Sequence, residues 1–183
     1  MTSDALKDFI SGYSIEVVPN SAAKVENFAE ILPANTRVYI AHLSEKEDIK
    51  TMVATAKRIN AEGFSVMPHI PARIIKNKNM LTEWLSMYQN EANVSEALLL
   101  AGGSSHPLGE FDSSMQLIET GEFDKLGFKR LHVAGHPEGS KDIDPDGGKK
   151  NTSSALSWKQ EFSKRTDAKM AIATQFCFDA NTV

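Results

Sequence analysis

The feature that most constrains the fold of this chain is a regular alternation of short apolar runs and longer amphipathic segments. Six runs rich in apolar and β-branched residues occur at 14–19, 36–43, 64–71, 96–103, 129–136 and 169–176. Runs with so little polar alternation are typical of strands in a parallel sheet that is covered on its faces. The segments between them carry apolar residues at helical spacing, at 21–32, 49–59, 80–91, 113–121 and 154–165. The order therefore predicts an α/β fold built from repeated βαβ units.

Two architectures share this element order, an open doubly wound sheet and a (β/α)8 barrel. The dinucleotide fingerprint G-x-G-x-x-G is absent after the first run, where the sequence reads VVPNSAA. Polar residues or glycines instead lie at the C-terminal end of strand after strand, and the set is Glu16, His42, His69, Gly102 with Gly103, His136 and Gln175. An open sheet concentrates its ligand groups at one switch point, whereas a barrel gathers them from many strand ends at one mouth. The even distribution predicts a barrel of the TIM type.

The number of strands is smaller than a complete barrel requires. Six runs account for about six of the eight βα units of such a barrel, which typically needs about 250 residues. We therefore expect one domain over 1–183 that represents the N-terminal part of a longer barrel. A self-sufficient six-stranded fold is the alternative.

Composition restricts the partners and the compartment. The net charge is −4 without a concentrated basic stripe, which argues against a nucleic-acid partner. The single cysteine, Cys177, excludes a disulfide within the chain and fits a reducing compartment. The first residues lack the basic and apolar regions of a signal peptide, and no apolar stretch approaches the roughly 20 residues that span a bilayer. We expect a cytoplasmic protein that is not bound to a membrane.

Five short motifs, taken in order, carry a family resemblance. They are SIEVVP, PHIPAR, LLLAGG, VAGHPEGSKDI and ATQFCFD, and they extend over most of the chain. In this order and spacing they resemble the methylenetetrahydrofolate reductase family. The resemblance implies a TIM barrel that binds FAD and uses NAD(P)H to reduce 5,10-methylenetetrahydrofolate to 5-methyltetrahydrofolate in one-carbon metabolism.

Glu16 and Gln175 are the residues that the resemblance assigns to the folate. The glutamate of the first-strand motif acts in the family as a general acid that helps to open the methylene bridge, and here it is Glu16. The glutamine of the last motif contacts the folate, and an amide can pair with the alternating donors and acceptors of a pterin ring. The alternatives are a strand glutamate that faces water and a glutamine bonded to neighbouring backbone.

A second group of residues is assigned to FAD by the same resemblance. His69 corresponds to a histidine that lies against the flavin, although a lone histidine is often structural. Ala101, Gly102 and Gly103 would let a cofactor approach the backbone closely. The best-known family pattern at these three positions is arginine, glycine, aspartate. The absence of the two charged residues puts the substrate in question.

The remaining cofactor assignments are His136 and Lys164. His136 stands where the family often has a tyrosine, in a loop that touches the flavin and that here also contains Glu138 and Asp142. Lys164 has the spacing from Gln175 of a family lysine that holds the FAD phosphates, and a solvated helix lysine is the alternative.

No metal site is expected. The segment DIDPDG at 142–147 resembles the start of a calcium loop, but its twelfth position is Ser153, which cannot supply the bidentate carboxylate. We interpret this segment as an acidic turn.

Two other functions stay open at this stage. One is a folate-binding barrel of the same family with a different one-carbon reaction. The other is a non-catalytic subunit that binds a partner chain, since missing strands would leave sheet edges that association covers. On the same grounds we expect a homo-oligomer.

Overall fold

The computed structural model describes residues 3–183 and contains every strand that the sequence predicts. The strands are β1 Ser14–Val17, β2 Arg37–Ile40, β3 Ser65–Pro71, β4 Glu96–Leu100, β5 Arg130–Gly135 and β6 Lys169–Thr174. The helices are α1 Ser3–Ile10, α2 Pro19–Ala22, α3 Ile49–Ala61, α4 Lys78–Ala92, α5 Ser114–Glu119, α6 Glu122–Lys125 and α7 Lys150–Phe162. The predicted α/β class is confirmed.

The six strands form one parallel sheet in the order β1-β2-β3-β4-β5-β6. Every pairing is parallel, with Ile15 opposite Val38 at one end of the sheet and Val133 opposite Ile172 at the other. The strand order never reverses, so the sheet has no switch point of the doubly wound kind. Within residues 3–183, β1 pairs only with β2 and β6 only with β5, so the sheet is open at both edges.

The sheet is strongly curled. In a flat sheet β2 and β5, three strands apart, would lie about 14 Å from each other, given the usual strand spacing of about 4.8 Å. Nevertheless the Tyr39 hydroxyl on β2 lies 2.7 Å from Nδ1 of His132 on β5. On the same face, the Arg37 guanidinium on β2 reaches the Glu96 carboxylate on β4 at 2.9 Å. We call this face of the sheet the concave face and the opposite one the convex face.

The main core lies between the convex face and the helices. The strand residues that alternate with Tyr39 and His132 point into it, among them Val38, Ile40, Leu131 and Val133, all almost completely buried. They pack with Met52, Ala56 and Ile59 of α3 and with Leu81, Leu85 and Tyr88 of α4. This arrangement is the one that buried parallel strands with amphipathic crossover helices require.

Polar residues set the ends of the longer helices. The Asn77 side chain accepts a hydrogen bond from the backbone N–H of Met80 and starts α4. Asn93, in the left-handed conformation with φ 52°, ends it. Asp48 caps α3 in the same way as Asn77 caps α4. No helix within residues 3–183 has both the length and the apolar character needed to cross a membrane.

The predicted helix over 21–32 is wrong. The structure has only the single turn of α2 and a short 3-10 turn at Phe28–Glu30 in this crossover. Two side chains at the end of α3 take the backbone groups that a helix would use. The Arg58 guanidinium donates to the carbonyls of Ala22 and Val25 at 2.7 and 2.8 Å, and the Glu62 carboxylate accepts from the N–H of Phe28 at 2.8 Å. These tertiary hydrogen bonds replace the helical ones.

Candidate functional site

A cleft of about 520 Å³ opens at the carboxyl ends of β4, β5 and β6. Its walls include five of the residues that the sequence assigns to a site, namely Ala101, Gly102, Gly103, His136 and Gln175. The first three follow β4, and the other two follow β5 and β6. The backbone N–H of Gln175 donates to the carbonyl of Gly135 at 2.8 Å, which fixes this residue beside the end of β5.

The segment after β4 depends on a glycine. Gly102 has φ +100°, a conformation that other residues rarely adopt. A Cβ atom at this position would also lie 2.9 Å from Cβ of Pro71. A Cβ atom at Gly103, in contrast, would have no atom of the described residues within 4 Å beyond its chain neighbours. At Gly102 and Gly103 the segment therefore presents only backbone atoms to the cleft.

Glu16 and His69 form a pair on the concave face. The Oε2 atom of Glu16 lies 3.0 Å from Nε2 of His69, at an angle too oblique for a well-aligned hydrogen bond. The Glu16 side chain is 56% exposed, whereas that of His69 is 10% exposed. Burial lowers the pKa of His69, and the nearby Glu16 carboxylate opposes this only in part. His69 is therefore a neutral imidazole at pH 7, beside an accessible carboxyl group.

Two further histidines lie on or near these strands, and the sequence counted His42 among the strand-end groups but gave His132 no role. His132 pairs with Tyr39 across the concave face, and burial followed by the charges of Arg37 and Arg130 lowers its pKa. His42 does not reach a strand-end mouth, because its ring is buried and stacks on Trp84 at 5.1 Å between centroids. Within residues 3–183 neither ring nitrogen of His42 makes a well-aligned hydrogen bond, and burial lowers its pKa.

Arg73 joins the loops that surround the cleft. Its guanidinium contacts Asp112 at 2.8 Å, Asp142 at 3.0 Å and the carbonyl of Ser104 at 3.0 Å. Its backbone N–H also donates to the carbonyl of Ala101 at 2.9 Å. Its side chain is only 11% exposed, and the two carboxylates raise its pKa above the ordinary value despite the burial. Sequence reasoning gave this residue no role, although it is the last residue of the PHIPAR motif.

Lys164 lies apart from the other predicted cofactor residues. It is exposed, pairs with Glu161 at 2.6 Å and does not line the cleft that contains His136. The assignment to FAD phosphates stays a prediction.

The acidic residues of the loop after β5 have local partners. Both carboxylate oxygens of Asp144 accept backbone hydrogen bonds, from Asn151 and Thr152 at the start of α7. The Glu138 carboxylate accepts from the N–H groups of Phe178 and Asp179 and so holds the segment after β6. Within residues 3–183, no group of three or more histidine, cysteine, aspartate or glutamate side chains is arranged to hold a metal ion.

A scan of the sequence against models of known protein families finds no match. The cleft offers an amide, a histidine and exposed backbone, which can bind a polar heterocycle. Glu16 and His69 are not among the residues that line this cleft. On the concave face they offer a carboxyl group beside a neutral imidazole, which can give or take a proton.

Proposed function

We propose that this protein is a flavin-dependent oxidoreductase that reduces 5,10-methylenetetrahydrofolate to 5-methyltetrahydrofolate with NAD(P)H. The observation that carries the proposal is that Gln175, His136 and the 101–103 segment, assigned separately from three motifs, line one cleft. We further propose that the curled sheet is six strands of an eight-stranded (β/α)8 barrel. The sequential strand order and the open edges at β1 and β6 support this. In such a barrel each strand pairs with the next one along the chain, and the last strand pairs with the first.

The size and part of the lining of the cleft support a flavin. Its volume lies in the range of cofactor sites, roughly 300–1,000 Å³. The backbone at Gly103 is open to close approach by a planar ring, whereas Pro71 fills the space beside Gly102. By the resemblance, His69, Ala101, Gly102, Gly103, His136 and Lys164 would hold FAD. FAD would supply hydride transfer between the nicotinamide and the folate.

Glu16, with His69 beside it, would donate the proton that this reaction needs. A neutral imidazole can accept a hydrogen bond from a protonated carboxyl or donate one to a carboxylate, so His69, once its ring turns into line with Oε2, could bond the Glu16 carboxyl group with or without its proton. The exposure of the Glu16 side chain leaves this proton accessible to a bound substrate. Gln175 would orient the pterin through its amide, which requires no change of charge.

Two measurements test the proposal. Purified protein should show the visible absorbance of an oxidised flavin or take up FAD in a titration. In stopped-flow experiments, Glu16→Gln should slow the folate half-reaction by about 10²–10⁴-fold, because it removes a general acid. The nicotinamide half-reaction should stay nearly unchanged. A protein that neither contains nor takes up flavin contradicts the proposal, and equal slowing of both half-reactions contradicts the role of Glu16.

Gln175→Ala serves as the matched comparison for Glu16→Gln. It removes contacts that exist in the ground state as well as in the transition state, so it should raise the KM for folate more than it lowers kcat. An unchanged KM would show that Gln175 does not contact the substrate.

A second candidate is a different one-carbon reaction on the same folate site. It is favoured by the absence of a carboxylate at Gly103, since among the described residues that line the cleft only Asp142 is acidic and Arg73 holds it. A protein that binds flavin and tetrahydrofolate but does not oxidise NAD(P)H in the presence of methylenetetrahydrofolate would favour this candidate.

A further inference from the structure

Asp142 is the one carboxylate that the described residues contribute to the lining of the candidate cleft. Its side chain is about half exposed, so its oxygens are accessible to a bound molecule. The ring of His136 lies in the same lining, on the same loop after β5. An ionised carboxylate accepts hydrogen bonds and donates none, so a ligand group that binds Asp142 must be a donor.

The backbone on either side of Asp142 is held in a turn. The carbonyl of Ser140 accepts hydrogen bonds from the N–H groups of Ile143 and Asp144, at 3.1 and 2.8 Å. The Asp144 carboxylate accepts two further bonds, at 2.8 and 2.9 Å, from N–H groups at the start of α7. The loop is therefore attached to α7 just beyond Asp142, which keeps Asp142 at the edge of the cleft.

The side chain of Asp142 is held from the loop after β3, by Arg73. The Nη1 atom of Arg73 lies 3.0 Å from Oδ2 and 3.2 Å from Oδ1 of Asp142. Because one nitrogen contacts both oxygens, each oxygen keeps a lone pair for another donor. The same Nη1 donates to the carbonyl of Ser104 at 3.0 Å, and Nε donates to Asp112 at 2.8 Å. The guanidinium therefore fixes Asp142 relative to the loop after β4.

The segment that carries Arg73 is itself fixed to the loop after β4. The carbonyl of Arg73 accepts from the N–H of Leu108 at 2.7 Å, and the carbonyl of Lys76 accepts from the N–H of Glu110 at 3.0 Å. Between these two bonds, a Cβ atom at Gly109 would overlap the Lys76 carbonyl, so the close approach of the two segments requires glycine. Arg73 therefore has a rigid base, which a residue that orients another side chain needs.

We propose that Asp142 is a ligand-binding residue of this cleft that accepts a hydrogen bond from an N–H group of the ligand, and that Arg73 is the residue that positions it. The binding role rests on the proposed function, whereas the positioning role rests on the contacts alone. Flavin and pterin rings both carry an N–H beside a ring carbonyl, so they present the same chemistry to Asp142. All of the contacts that carry the proposal lie within residues 73–152.

The first experiment tests the positioning role without a ligand and uses the ring of His136 as the reporter. Burial and then the charge of Lys159 lower the pKa of His136, and the Asp142 carboxylate partly opposes them. Asp142→Asn should therefore lower this pKa further in an NMR titration. Arg73→Met should lower it too, because the released carboxylate moves away, whereas loss of the arginine charge alone would raise it. Arg73→Met should lower the pKa no further when Asp142→Asn is already present.

Arg58→Met is the matched control for Arg73→Met. The Arg58 guanidinium also joins separate segments, by donating to the carbonyls of Ala22 and Val25, but Arg58 does not line the cleft. It should leave the pKa of His136 unchanged, which separates lost position from lost stability. Arg73→Lys covers the case in which Arg73→Met does not fold. One ammonium cannot replace both guanidinium nitrogens, so the pKa should again fall. A rise or no change with the Arg73 variants would overturn the positioning role.

The second experiment measures binding by calorimetry, with FAD on the unloaded protein and tetrahydrofolate on the FAD-loaded protein as separate arms. Asp142→Asn should weaken one arm by about 10–100-fold, as the loss of a hydrogen bond to a charged group does, and the arm that weakens identifies the ligand. Asp146→Asn, at an exposed aspartate of the same loop outside the cleft lining, should leave both arms unchanged.

The outcomes separate this inference from the proposed function. Binding of both ligands that Asp142→Asn leaves unchanged, or that Asp146→Asn weakens equally, would overturn the binding role of Asp142 and leave the proposed function in place. A protein that binds neither ligand would contradict the proposed function and the binding role together. The titration of His136 decides the role of Arg73 in either case.

Discussion

The two faces of the same sheet are built from different chemistry. On the convex face, strand residues such as Val38, Leu99 and Val133 are apolar and almost wholly buried against helices. On the concave face, several of the alternate residues form polar couples, Arg37 with Glu96, Tyr39 with His132 and Glu16 with His69, next to the buried apolar Met67 and Leu98. Polar side chains are therefore concentrated on one side of the strands. Because successive side chains point to opposite faces, the same strands can supply apolar residues to the core and polar residues to the other face.

The largest effect is expected from the convex face. Leu99→Ala removes a fully buried side chain and leaves a cavity between β4 and the helices, which should lower the free energy of unfolding by about 2–5 kcal/mol. Leu156→Ala, the same substitution at a 45% exposed position on α7, should cost about 1 kcal/mol or less. Urea denaturation of both variants measures the difference. Equal losses would show that the main core has been misplaced.

A smaller effect is expected from acid, and it comes from partly or fully buried histidines on and near the strands. Burial lowers the pKa values of His42, His69, His132 and His136, so the folded state favours their neutral forms. The unfolded chain takes up protons first, near its pKa of about 6.5. Stability should therefore be complete above about pH 6.5 and fall as the pH drops through the lower pKa values of the folded state.

Urea midpoints measured on both sides of about pH 6.5 test this expectation. His42→Gln should flatten the pH dependence, because both ring nitrogens of His42 are buried without partners. His106→Gln, at an exposed position, should leave the profile unchanged. A midpoint that rises on acidification in this range would contradict the buried neutral state of these rings.

The next largest effect on stability is expected from the ion pairs of Glu96 at the amino ends of β2, β4 and β5. Glu96 lies between two guanidinium groups, 2.9 Å from Arg37 and 3.5 Å from Arg130, and these side chains are about a quarter exposed. Glu96→Gln leaves the two cations facing each other, and we expect a loss of about 1–2 kcal/mol, between the values of surface and buried pairs. Added salt should reduce this loss by screening the two cations. A loss that does not respond to salt would mean that packing of Glu96 matters more than its charge.

The smallest effect tests the curl of the sheet directly. Tyr39→Phe deletes the hydroxyl that bridges β2 to His132 on β5 and should cost about 1 kcal/mol, as the loss of one hydrogen bond does. Tyr13→Phe, at an exposed tyrosine outside the sheet, is the matched control. The NMR shifts of the His132 ring should change in the first variant and not in the second. An unchanged His132 signal would show that the two strands do not approach each other as described.

The sequence predicted the convex face well and the concave face poorly. Runs of apolar residues and helical spacing are local patterns, so all six strands and the helices near 49–59, 80–91, 113–121 and 154–165 were found. The couple of Tyr39 and His132 joins residues far apart in the chain and exists only because the sheet curls, which no local pattern reports. The failure at 21–32 has the same cause, since Arg58 and Glu62 reach that segment from a distant helix.

The residues of the candidate site that lie at the carboxyl ends of strands could be predicted from the sequence. The carboxyl ends of neighbouring parallel strands meet at one edge, so Gly102, His136 and Gln175 come together as expected. Arg73 was missed because its importance depends on what surrounds it. It joins the loops around the cleft only because Asp112 and Asp142 both reach its guanidinium in the folded chain.

The sequential strand order has a consequence for how the chain acquires its structure. Each strand pairs with the strand that precedes it in the chain, so every new βα unit finds its docking edge already made. Each pairing closes only the crossover between two neighbouring strands, so the entropic cost of a step does not grow along the chain. During synthesis the protein can therefore grow one unit at a time from β1 onward, with each growing edge shielded by the next strand to leave the ribosome.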